Sequence, residues 1–95
     1  MQVQVAFRHM EPSSPLREYA EKKLRKLERL TEDIIDTRVV YMQEKIETMV
    51  EFHANLNGHA IMVVERSEDA YAATDLAVHK FERQINRVRQ KNRKH

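Results

Sequence analysis

The dipeptide Asn57-Gly58 carries the only glycine in the chain, and it sits between two apolar-rich runs, MVEFHANL and HAIMVVE. Asn-Gly is the preferred centre of a two-residue hairpin, because both positions tolerate positive φ and the turn's twist matches that of the flanking strands. Such a turn fixes register. It pairs Leu56 with His59, Ala54 with Ile61 and Phe52 with Val63. A second short turn near Ile46-Glu47 pairs Phe52 with Tyr41 and Ala54 with Val39. The rows Tyr41–Phe52–Val63 and Val39–Ala54–Ile61 are then apolar and share one sheet face, as a half-buried meander requires. The opposite face receives Val40 and Met62 beside His53, and Met42 and Val64 beside Glu51, a small apolar patch.

Around the meander the period changes. Val3, Val5 and Phe7 alternate with Gln2, Gln4 and Ala6 in a short first strand. Ser13 or Ser14 then caps a helix that accepts Pro15 in its first turn, with Leu16, Tyr19, Ala20, Leu24, Leu27 and Leu30 on one face. The second strand covers residues 36–44. After the hairpin, Ser67 or Asp69 opens a long helix through Ala70, Ala73, Ala77, Phe81, Ile85 and Val88, expected to fray past Gln90. A helix between the first two strands implies a parallel pair and a right-handed crossover. The predicted fold is α+β: a β-α-β-β-β-α two-layer sandwich, four strands with two helices packed on one face, filling residues 1–95 as a single domain.

Charge is segregated along this order. Residues 16–30 carry net +3, residues 76–95 net +6 and the remainder net −7, although the whole chain is only +2. At about 100° per residue, Lys80, Arg83, Arg87, Lys91 and Lys94 fall within roughly 80° of arc, away from the apolar face near Phe81 and Val88. Lys22, Arg25, Lys26 and Arg29 form a second stripe, opposite Leu16, Ala20 and Leu27. Two helices side by side are expected to present both stripes to one side as a single groove-sized cationic patch. Arginine-rich patches suit phosphate, whose oxygens match the guanidinium fork. Backbone and shape recognition of folded RNA fits better than base reading, since there is no zinc-finger spacing and no exposed aromatic pair on a strand.

Other chemistry finds little support. His9, His53, His59, His79 and His95 fall on different elements without i, i+4 spacing, so no metal or other cofactor is expected. The absence of cysteine removes thiol nucleophiles and disulfides, one glycine leaves no phosphate-cradling loop, and the three serines lack a nucleophile context, so the chain is not expected to be an enzyme. No secretion signal or span of membrane length is visible, which places the expected protein in the cytoplasm.

The segment EDAYAATDLAVHKFERQINRVRQK, Glu68 to Lys91, resembles the signature of the ribosome hibernation-promoting factor and ribosome-associated inhibitor A family, also known as the sigma-54 modulation family. Asp69, Tyr71, Ala72, Ala73, Asp75, Lys80, Arg83, Gln84, Ile85 and Lys91 match it, and LREYAEKKLRKLERL is similar to the family's first helix. Ala70, Thr74, His79 and the loop Arg8 to Ser14 depart from the pattern. The resemblance is to short forms, without a dimerising domain. It implies binding in the decoding groove of the small ribosomal subunit, over the messenger RNA and tRNA A and P sites. That binding inhibits translation and preserves idle ribosomes in stationary phase or stress. It further implies that Lys22, Lys23, Lys26, Arg29, Lys80, Arg83, Arg87 and Lys91 contact ribosomal RNA phosphates, while Tyr71 stacks on RNA or wedges between helix and sheet. Asp69 is expected to cap its helix and Asp75 to pair with nearby arginines. A separate ribosome modulation factor is a further implied partner, and the protein itself is expected to be monomeric off the ribosome, with weak self-association through the outer sheet face as a side possibility. The competing reading is a protein-interaction module that binds through that outer face, its basic helices merely solvated.

Overall fold

The computed structural model describes the backbone of residues 1–29 and 34–92, and the side-chain surroundings of residues 1–29 and 36–90. Its order is β1 (Gln2–Arg8), α1 (Ser14–Leu27), β2 (Ile34–Glu44), β3 (Glu47–Leu56), β4 (His59–Ser67) and α2 (Ala70–Asn92). The strands form one sheet in the order β1-β2-β3-β4, with β1 parallel to β2 and the other neighbours antiparallel. Both helices lie on one face, α2 over β3 and β4, α1 beside α2 and over β1. This is the expected two-layer α+β architecture. Leu30 of the predicted helix face lies outside the described residues, as do Arg93 and Lys94.

The hairpin at Asn57-Gly58 has the predicted register, Leu56 opposite His59 and Phe52 opposite Val63. Asn57 and Gly58 take φ of 52° and 80°, and the Asn55 side-chain carbonyl accepts the Gly58 N–H at 2.9 Å. The β2–β3 turn differs. Glu44 faces Glu47, so the turn is Lys45-Ile46, and the ladder pairs Val39 with Phe52 and Tyr41 with Val50, two residues away from the expected register. No glycine or asparagine marks this turn. Lys45 takes the positive φ of 55° instead, while Gln43 donates to the Lys45 carbonyl at 2.9 Å and accepts from Thr48 at 3.1 Å. A two-residue slip preserves side-chain parity, so the same residues still face the core. It does change neighbours on the outer face: His53 lies opposite Arg38 and Met62, and Glu51 opposite Val40 and Val64, while Met42 faces Met49.

The core rows therefore read Val5–Val39–Phe52–Val63 and Phe7–Tyr41–Val50–Glu65 across the sheet. Leu16, Ala20, Leu24 and Leu27 from α1 and Ala73, Ala77, Phe81 and Ile85 from α2 close over them, all buried. Phe81 meets Phe52 edge-to-face with centroids 5.6 Å apart, a geometry that satisfies the ring quadrupoles. One polar pair enters this core. The Tyr41 hydroxyl lies 2.6 Å from Thr74 Oγ1, which donates its own proton to the Ala70 carbonyl at 2.8 Å, so Tyr41 is the donor. Burial pushes the Tyr41 phenol up to about 12.

Candidate nucleic-acid interface

Helix starts set the angular position of every functional side chain. Ser13 caps α1, its Oγ accepting the Leu16 N–H at 3.2 Å, and Pro15 occupies the first turn. Asp69 begins α2: its carboxylate accepts the Tyr71 N–H at 2.9 Å, its carbonyl accepts the Ala73 N–H at 3.0 Å, and Ser67 Oγ accepts the Asp69 N–H at 3.2 Å. Both proposed openers of α2 are thus used.

Lys22 and Lys26 on α1 and Arg29, in the turn just past its end, are exposed and border an open trough with Glu18, Glu21 and Arg25. Arg25 is tied locally, at 2.8 Å to Glu28 and 3.3 Å to the Met1 carbonyl. The Arg25 guanidinium holds the Glu28 carboxyl below its ordinary range. On α2, Lys80, Arg83 and Arg87 are exposed and, with Gln84, overhang Met62, Val63 and Val64 in a groove of about 300 Å³ along β4. Lys80 pairs with Glu65, whose carboxylate is mostly buried at the end of a core row. The Lys91 side chain lies outside the described residues.

The junction of the two helices is not purely cationic. Lys23 is half-buried at their junction, 3.9 Å from Asp75 and 5.3 Å from the Tyr19 ring centroid. Tyr19 donates to Asp75 at 2.6 Å, and this bond to a carboxylate raises the phenol's pKa. Tyr71 stands edge-on to Tyr19 at 5.0 Å and is 40% exposed. Asp75 and Tyr71 therefore mark the flank of α2 that meets α1. At about 100° per residue, Arg83 lies roughly 100° farther round the helix and Lys80 and Arg87 roughly 140–160°, toward β4. The Tyr19–Asp75–Lys23–Tyr71 seam joins the helices at the level of the first turns of α2, and Arg83 and Arg87 lie roughly two to three turns beyond Asp75.

The seam also revises two smaller expectations. Asp75 pairs with a tyrosine and a lysine of the other helix, not with arginines, and Tyr71 is at the helix–helix junction, not between helix and sheet. Tyr19, read from sequence only as part of an apolar face, was missed as a polar anchor; its place opposite Asp75 depends on how the helices pack. Among the described residues no three histidine or acidic side chains gather in a way that could hold a metal, and no helix is long and apolar enough to cross a membrane.

A four-stranded mixed sheet carrying two helices on one face, with lysine- and arginine-lined tracks on both helices, defines a small α+β domain with a phosphate-compatible surface. Residues 3–93 match the family described as Sigma 54 modulation protein / S30EA ribosomal protein, and the chain belongs to that family. Among curated relatives, the ribosome hibernation promoting factor of Pseudomonas putida is 32% identical, covering 96% of this chain and 89% of its own. That of Salmonella typhimurium is 32% identical over the whole of both chains. A solved ribosomal subunit interface protein from Coxiella burnetii superposes with a TM-score of 0.89 at 28% identity, over 95% of this chain and 99% of its own.

Proposed function

We propose that the domain is a ribosome hibernation factor. It binds the small subunit through ribosomal RNA in the decoding groove, over the messenger RNA path and the A and P sites. It keeps idle cytoplasmic ribosomes out of translation during stationary phase or stress. The observation that carries this reading is that Lys22, Lys26, Arg29, Arg83 and Arg87 are exposed and have no acidic partner within ion-pair distance among the described residues. Cations left unpaired in a chain with almost as many acids as bases form a local positive field that attracts and orients a polyanion. Family membership and the names of the relatives support the ribosome as that polyanion. Tyr71, partly exposed at the helix junction, would touch a base or sugar, and Lys80 extends the α2 stripe. A separate modulation factor would be the partner that pairs such ribosomes.

The test is cosedimentation with small subunits across a salt series. Neutralising about six phosphates gives a log–log slope of roughly −4 to −5. Arg83→Glu with Arg87→Glu should abolish cosedimentation while leaving the thermal melt unchanged. Retained binding, or a flat salt response, would favour a protein adaptor working through another face.

A further inference from the structure

We propose that the open edge of β4 is a docking edge for an extended acidic segment of another protein, which adds to the sheet as a fifth strand beneath the cations of α2.

The two-residue turn makes Leu56–His59 a hydrogen-bonded closing pair, and such pairs alternate along an antiparallel ladder. His59, Ile61, Val63 and Glu65 thus turn their backbone groups toward β3. Ala60, Met62, Val64 and Arg66 turn their N–H and C=O groups outward, at the sheet's edge. Exposed edges are ordinarily blunted by shortness, bulges, proline or charges on the strand itself. β4 has none of these over Ala60–Val64. It is nine residues long, its ladder to β3 runs without a register shift, and its outer side chains there are Ala60, Met62 and Val64, with Met62 59% exposed.

Selectivity comes from above. Lys80, Arg83 and Arg87 overhang Met62, Val63 and Val64. Arg83 and Arg87 lie one helical turn apart, roughly 6 Å along the axis. That is close to the roughly 7 Å between same-face residues of a strand. A segment with acids at alternate positions can therefore place its carboxylates under consecutive guanidinium groups while its backbone pairs with β4. A second copy of this chain is a poor occupant, because edge-to-edge pairing would bring two such cationic walls together. The inference shares Arg83 and Arg87 with the ribosomal reading, but the strand edge belongs to it alone.

The probe is the peptide Ac-Glu-Val-Glu-Thr-Glu-Val-Glu-NH2, titrated into the whole chain and followed by amide NMR. Expected are shifts concentrated at Ala60, Met62, Val64 and Arg66, with slowed hydrogen exchange at Met62 and Val64. The same peptide N-methylated at alternate residues keeps its charge but loses its strand-pairing donors, and should bind roughly tenfold more weakly. Val64→Pro removes only an outward N–H and should weaken the unmodified peptide while leaving small-subunit cosedimentation intact. Absence of edge shifts, equal binding of the N-methylated peptide, or equal shifts of these amides by an oligouridine RNA would overturn the proposal.

Discussion

Removing the Tyr41 hydroxyl tests how α2 is held in register over the sheet, and so how both cationic tracks are positioned. Tyr41 is fully buried and donates to Thr74 Oγ1 at 2.6 Å, while Thr74 donates onward to the Ala70 carbonyl. In Tyr41→Phe, Thr74 keeps its own donated bond and loses only an accepted one, so the cost at neutral pH is about 0.5–1.5 kcal/mol. For a domain of this size that lowers Tm by roughly 4–8 °C per kcal/mol. Thr74→Val is the harsher change. It strands a buried hydroxyl with no acceptor and should cost about 1–3 kcal/mol. The double variant should cost less than the sum of the two, because the orphaned group is gone. The pH dependence is a second readout. With the folded phenol at about 12 and the unfolded one at its ordinary value of 10.0, protons leave the unfolded chain first as pH rises. The stabilisation from Tyr41 is therefore complete below the unfolded value and is lost as pH climbs through the folded one, on the order of 2–3 kcal/mol in all. Urea titrations of wild type and Tyr41→Phe at neutral pH and at a series of alkaline pH values isolate this contribution, since every other side chain is common to both proteins. Because that loss exceeds the cost of Tyr41→Phe at neutral pH, wild type should become the less stable of the two across that window. Parallel alkaline limbs, or a Thr74→Val variant no less stable than Tyr41→Phe, would refute the reasoning.

Two further outcomes are expected. Asp69→Ala removes the acceptor for the Tyr71 N–H at the start of α2 and should destabilise the domain by about 1 kcal/mol, measured by thermal melting. Met62→Glu, at the most exposed apolar position of the outer sheet face among the described residues, should leave the sedimentation velocity of the free protein unchanged, as for a monomer; a shift from a larger wild-type species would identify that face as a self-association surface.

Local sequence determined much of this molecule, because its signals act over a few residues. Asn57-Gly58 sets one hairpin through positive φ, Ser13 and Asp69 set the helix starts through their side-chain oxygens, and the alternation of Val39, Tyr41, Phe52 and Val63 assigns them to the core whatever the turn does. Even the segregation of cations onto two helices is a property of the chain alone. The β2–β3 register was not legible, because Glu44-Lys45-Ile46-Glu47 has no residue that prefers positive φ, leaving side-chain bonding and core pairing to choose between frames two residues apart. The shape of the candidate interface was decided later still. Tyr19 finds Asp75 only when α1 docks beside α2, and that docking sets the rotation of each helix about its own axis. Periodicity fixes which residues of a helix share a stripe; the packing of one helix against another fixes where that stripe points. That is why the cations were visible in the sequence and the Tyr19–Asp75 seam beside them was not.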